Sequence, residues 1–199
     1  MAYVVIGLGN PGGEYAKTRH NAGRMAVELL QKELGFPEFS LKKTAQAYVS
    51  EGSIDGEKVV LVIPDVYMNH SGKAAPAFVK SVPAAKKLVV IRDELDLPLG
   101  TIKMTTYGRG AGGHKGAESI MRALKTKDFA QIKIGISGAT PKGRVKKPNG
   151  EDKVVKHVIG KFKPEEEAKL KEVLKKVSLA TQYFVTDGIE KAMLEANTK

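Results

Sequence analysis

Apolar residues along this chain come in two rhythms, and the alternation between them predicts the architecture. Short unbroken runs rich in β-branched residues read as strands buried on both faces. Ala2-Tyr3-Val4-Val5-Ile6, closed by Gly7 and Gly9, is one, and Lys87-Leu88-Val89-Val90-Ile91 is another. Thr101 to Thr106 and Gln131 to Ile136 read as further strands, and Ala45 to Ser53 and Glu57 to Ile63 flank Asp55-Gly56, a turn dipeptide that predicts a hairpin. Other segments follow the helical period. Met25 to Leu34 is amphipathic and stops at Gly35, Glu118 to Leu124 is helical in pattern, and Lys73 to Ser81 predicts a short helix in spite of Pro76. In a C-terminal helical segment, about residues 164–195, Leu170, Val173, Leu174, Val177, Ala180 and Phe184 recur at helical spacing, and Gly188 separates a final short helix. The pattern predicts an α/β fold: a single domain over residues 1–199, with a twisted mixed β-sheet and helices on both faces.

Composition narrows the class. With 199 residues and 42% hydrophobic content, the chain can bury one sizeable core. It has no apolar stretch of membrane-spanning length, and no charged-then-apolar signal segment precedes the first strand, so a soluble, unexported, cytoplasmic protein is expected. The absence of cysteine removes disulfides, thiolate metal sites and a cysteine nucleophile. Four scattered histidines, His20, His70, His114 and His157, lack the spacing of a zinc motif, so no protein-held metal is expected. The formal net charge of +11 fits a polyanionic partner, and it also fits lysine used for solubility. Lys142, Arg144, Lys146, Lys147, Lys153 and Lys156 crowd a segment without aromatics, which suits phosphate contacts better than base stacking.

Chemistry concentrates in the run GLGNPGGEYAKTRHNAG at residues 7–23, which lies between a strand and a helix, where open α/β sheets place their sites. Gly7, Gly9 and Gly12 match the spacing of a dinucleotide-binding loop. Pro11 interrupts that turn, however, no helix follows at once, and Glu28 falls inside the later helix instead of ending a second strand, all of which argues against a nicotinamide or flavin site. Three further polar loops follow apolar runs or open a helix: Pro64-Asp65-Val66-Tyr67-Met68-Asn69-His70-Ser71-Gly72, Arg92-Asp93-Glu94-Leu95-Asp96-Leu97-Pro98-Leu99-Gly100, and Gly112-Gly113-His114-Lys115-Gly116.

Together with residues 7–23, these segments resemble the four motifs of the bacterial peptidyl-tRNA hydrolase family, in order and spacing, from Val4 to Phe184-Val185-Thr186-Asp187-Gly188. The resemblance implies an esterase that cleaves the bond between a peptide and the 3′ ribose of tRNA, acting as a monomer on peptidyl-tRNA without metal or cofactor. It implies that His20 is the catalytic histidine and Asp93 the carboxylate that orients it, and that Asn10 and Asn69 hold the ester end of the substrate. Tyr15, Met68, His114 and Lys115 then fall on the substrate side. The chemistry is consistent: a neutral imidazole can take a proton from attacking water, a carboxylate can fix its tautomer, and an amide can donate to the developing oxyanion.

The chain departs from the family pattern in two places. Lys115 stands where the family has an asparagine, replacing a donor–acceptor amide with a cation that only donates. Of the basic pair that grips a tRNA phosphate, the first position falls on Thr105 and the second on Lys133, with Lys103, two residues back on the same strand face, as the substitute. Read without the resemblance, Asp93 is a turn or cap residue, Asn10 before Pro11 is a turn residue, Asn69 is a helix N-cap, Glu94 and Asp96 are turn or surface residues, and His70 and His157 are surface or boundary residues. Gly108, Gly110, Gly112 and Gly113 form either a connection or a lid. The alternative function is an RNA-binding protein of the same family without hydrolase activity.

Overall fold

In the computed structural model, which describes residues 1–198, the strands in chain order are β1 (Tyr3–Gly7), β2 (Ser40–Lys42), β3 (Ala47–Ile54), β4 (Glu57–Pro64), β5 (Leu88–Pro98), β6 (Ile102–Thr105), β7 (Ala130–Ala139) and β8 (Val145–Lys146). They form one mixed sheet in the order β2-β3-β4-β1-β5-β7-β6, with β8 pairing the far end of β7. Its centre is parallel: β1 lies between β4 and β5, and β5 pairs β7. The flanking pairings β2–β3, β3–β4, β6–β7 and β7–β8 are antiparallel. The β3–β4 hairpin turns on Asp55 and Gly56, at φ +49° and +82°, the two left-handed positions that a tight primed turn requires.

The helices are α1 (Ala22–Glu33), α2 (Val82–Ala85), α3 (Lys115–Leu124), α4 (Glu151–Val158), α5 (Pro164–Thr186) and α6 (Ile189–Asn197). Successive side chains of a strand point to opposite faces, and here both faces are covered. Val5, Val89, Ile91 and Ile132 pack in one core with Val27 and Leu30 of α1, Val177 and Phe184 of α5, and Ala192 of α6. Val4, Ile6, Leu88 and Val90 pack in a second core with Ile120 of α3, Ala75 and Phe129. That double burial is why the central strands read as continuous apolar runs.

Three segments differ from the pattern-based expectation. The helix expected over Lys73 to Ser81 is two short 3₁₀ segments, Met68–Lys73 and Ala75–Ala77, followed by α2 after its N-cap Ser81. Pro76 supplies no backbone N–H, so a continuous helix through it would lose a hydrogen bond. β5 runs well beyond Ile91, because Arg92, Asp93 and Glu94 remain in register with Lys133, Ile134 and Gly135 of β7. The basic stretch near residues 142–156 contains the helix α4, whose Val154, Val155 and Val158 repeat at helical spacing.

The glycines that mimic a dinucleotide loop serve close packing instead. A Cβ at Gly23, in the first turn of α1, would stand 2.2 Å from the Ile91 carbonyl oxygen, and one at Gly7 would stand 2.5 Å from the Gly23 carbonyl oxygen. The start of α1 therefore rests directly on the carboxyl end of β1 and on β5 at Ile91, the residue that pairs with Gly7. Residues just before α1 are thereby held at the point where the sheet reverses its winding, a location open α/β sheets favour for ligand sites.

Candidate active site

His20 sits in a single 3₁₀ turn, Arg19–Asn21, immediately before α1, and both neighbours lock that turn in place. Asn21 exchanges two 2.9 Å hydrogen bonds with the backbone of Asn10: its Oδ1 accepts from the Asn10 N–H and its Nδ2 donates to the Asn10 carbonyl. Arg19 is buried, donates to the Lys161 carbonyl and to Glu166 Oε2 (2.6 Å), and lies over the Phe162 ring. The loop after β1 is thus tied at one end to itself and at the other to the start of α5.

The His20 ring meets β5 at Asp93, with Nδ1 2.8 Å from Asp93 Oδ1. Asp93 is 2% exposed and belongs to the strand, so the turn reading of this residue does not hold. The same oxygen also receives His114 Nε2 at 2.9 Å, and the two imidazole rings stand 5.1 Å apart. The environment drives the three ionisations apart. Burial disfavours the Asp93 carboxylate, but the two histidines outweigh it and hold its pKa far below the usual carboxylate range. Burial also opposes charge on His20, where the field and hydrogen bond of Asp93 prevail over it and over Lys115, so its pKa is raised. For His114 burial wins over Asp93, with His20 and Arg92 adding to it, and the pKa falls.

Asn10 Oδ1 accepts the backbone N–H of Met68 at 2.8 Å, which leaves its amide N–H₂ as the group offered to the cleft. Met68 is buried and Asn69 exposed, both inside the 3₁₀ segment, so Asn69 is not its N-cap. A cleft of about 720 Å³ opens over these groups, lined on this side by Asn10, His20, Met68, Asn69, Asp93, His114 and Lys115. The lining also has an apolar stretch: Leu95 from β5 and Val154, Val155, Val158 and Ile159 from α4 and its end. Lys115 reaches across the mouth, its Nζ 4.0 Å from Glu151 Oε1.

Tyr15 stands outside this lining, edge-on to Tyr67 with centroids 6.5 Å apart, and Tyr67 is the ring that faces the cleft. Lys103 and Lys133 lie elsewhere as well. They are direct cross-strand partners between β6 and β7, and Lys133 is also partnered by Arg92 on β5, so three cations line up across three strands on one face. Glu94 joins this row to the cleft wall: it pairs with Arg92 at 3.2 Å and with Lys133 at 3.7 Å. Glu94 is therefore a buried ion-pair residue and not a turn residue, while Asp96 is exposed and holds Lys147. His70 is exposed, and His157 stands against the Ile136 carbonyl at 3.0 Å. Of the glycine loop, the carbonyls of Arg109 and Gly110 are held by Gln131 Nε2 at 3.1 and 3.3 Å.

Pattern reading missed the α4 wall, Tyr67, and the Arg92–Glu94 pair. The spacing of Val154, Val155, Val158 and Ile159 carried the signal for the first. As for a metal, His20, Asp93 and His114 are the one group of possible ligands among the described residues, with ligating atoms within 4.8 Å of one another. Both contacts have hydrogen-bond length, so a proton fills each gap and a cation would have to displace both.

Comparison with known proteins identifies the family of the chain. The family model described as Peptidyl-tRNA hydrolase matches residues 4–199. A peptidyl-tRNA hydrolase of Syntrophotalea carbinolica is 37% identical over 98% of this chain and 97% of its own length, and one of Chloroflexus aggregans is 38% identical over 98% of each. Among solved structures, a peptidyl-tRNA hydrolase in complex with N-propanol superposes with a TM-score of 0.87 at 32% identity, covering 99% of this chain and 95% of that one. The Acinetobacter baumannii enzyme gives 0.86 at 31% identity with the same coverage. No described helix is long and apolar enough to cross a membrane. The family model, the relatives and the shared fold establish that the chain belongs to the peptidyl-tRNA hydrolase family, enzymes acting on the ester between peptide and tRNA.

Proposed function

We propose that this chain hydrolyses the peptide–ribose ester of peptidyl-tRNA by direct attack of water, with His20 as general base and Asp93 as its orienting partner. The observation that carries this reading is the 2.8 Å contact between His20 Nδ1 and the buried Asp93 carboxylate in a cleft whose described lining holds no serine, threonine or cysteine. With Nδ1 occupied, Nε2 takes the proton of a water as its oxygen attacks the ester carbonyl carbon. Asp93 stabilises the imidazolium that forms, and the Asn10 and Asn69 amides donate to the developing oxyanion. Collapse of the intermediate breaks the ester C–O bond, and Nε2–H returns the proton to the departing 3′ ribose oxygen. This sequence of proton transfers needs no metal or cofactor.

The rest of the surface fits the substrate's other parts. The α4 wall suits peptide side chains, and Lys115 supplies a donor at the mouth in place of an amide. Lys133 and Lys103, backed by Arg92, make a phosphate-binding row: three cations face one another across the ladder with the single Glu94 carboxylate paired to two of them, so a further anion there is favoured. A monomer acting in the cytoplasm, where tRNA is used, completes the reading. Release of labelled peptide from a short peptidyl-tRNA, with free aminoacyl-tRNA as control, tests it; absence of turnover with retained tRNA binding would favour the non-hydrolytic alternative.

A further inference from the structure

His114 closes a chain of hydrogen bonds that begins at the N-terminus of α3 and ends at His20. As the N-cap residue, it turns Nδ1 toward two backbone donors, the N–H groups of Gly116 at 3.2 Å and Ala117 at 3.3 Å. A protonated nitrogen cannot face two N–H donors, so Nδ1 is bare and, in the neutral ring, the proton is on Nε2. The side chain is 6% exposed, which favours that neutral ring. Nε2–H points at Asp93 Oδ1, 2.9 Å away. An ionised carboxylate only accepts, so the second contact on this oxygen must also come from a donor, His20 Nδ1–H.

We propose that His114 is a positioning residue for hydrolysis, whose helix-capping Nδ1 forces its proton onto Nε2, where it pins Asp93 against His20 and leaves His20 Nε2 bare to act as base. This rests on the reading of His20 as the base. Sharing Oδ1 between two donors also divides the carboxylate's pull, so His114 tempers the basicity that Asp93 confers on His20. The other charged groups facing this pair are Arg92 beside His114 and Lys115 beside His20, and Glu151 reaches only Lys115.

Two substitutions separate the roles. In His114→Asn the amide oxygen takes the place of Nδ1 and caps α3, but nothing reaches Asp93; in His114→Gln the amide nitrogen takes the place of Nε2 and can donate to it. The expected result is a fall in kcat of about tenfold for His114→Asn, with KM little changed and the acidic limb of kcat/KM moved upward. His114→Gln should recover most of the activity. Long-range ¹⁵N–¹H spectra of the unsubstituted protein near neutral pH should show His114 protonated at Nε2 and His20 at Nδ1. A His114 ring protonated at Nδ1, a His114→Asn variant with unaltered kcat and acidic limb, or a His114→Gln variant no better than His114→Asn would each overturn the proposal. The tautomer measurement needs no folded variant. It also stands apart from the base assignment, which fails separately if His20→Ala retains full turnover.

Discussion

Lys103 and Lys133 stand directly opposite each other in the β6–β7 ladder, so two ammonium groups share one face of the sheet. Lys133 is partly buried, and burial, Arg92 and Lys103 lower its pKa against the pull of Glu94. Such a row gains from a bound phosphate. Lys103→Gln and Lys133→Gln should each weaken binding of peptidyl-tRNA and reduce the steepness of its salt dependence by about 0.7–0.9 in log K against log salt for each phosphate no longer neutralised. Binding titrations at several salt concentrations check this, and unaltered slopes in both variants would move the tRNA backbone elsewhere.

Replacing His20 by Ala should lower kcat on the order of 10³-fold while tRNA affinity and the thermal midpoint stay near their original values, because the ring acts on water and not in the core. Single-turnover hydrolysis, filter binding and a melting curve measure the three quantities.

Asp93→Asn keeps an acceptor beside both histidines but removes the charge that stabilises the imidazolium. We expect kcat to fall about 10²-fold, with a smaller change in KM. The acidic limb should also move down, since the carboxylate that raises the His20 pKa is gone. A limb that stays in place would detach Asp93 from the base.

The raised His20 pKa puts the acidic limb of kcat/KM above about pH 6.5, because the base must be neutral to act. Lys115 opposes protonation of His20, so Lys115→Asn should move that limb further upward. A pH–rate profile of both proteins on one substrate reads the difference, and coincident limbs would remove Lys115 from the electrostatics of the base.

Gly23→Ala tests the seat of α1 on the sheet. Its methyl would meet the Ile91 carbonyl oxygen at 2.2 Å, a backbone atom that cannot rotate away. A loss of about 2–4 kcal/mol in denaturant unfolding is expected, together with reduced turnover as the His20 turn shifts. Full stability would mean that α1 can lift off without cost.

How much of this was legible in the chain follows the physics of each element. β1 and the first half of β5 announced themselves because both faces of each strand are buried, which demands unbroken apolar runs. The motif residues His20, Asn10, Asn69 and Asp93 stand out as polar groups in or beyond such runs. The charged half of β5 did not read as strand, since Arg92, Asp93 and Glu94 are tolerated inside only by partners far away in sequence: Gln131 and Lys133 on β7, His20 and His114. No periodicity encodes a neutralising contact made across 73 residues. Local pattern, being a matter of burial along one segment, determined the layered α/β class and the polar loops at the ends of its strands. Only tertiary structure decided that two imidazoles share one oxygen of Asp93, that α4 walls the cleft and that Lys103 faces Lys133, because each depends on register and packing between segments distant in the chain.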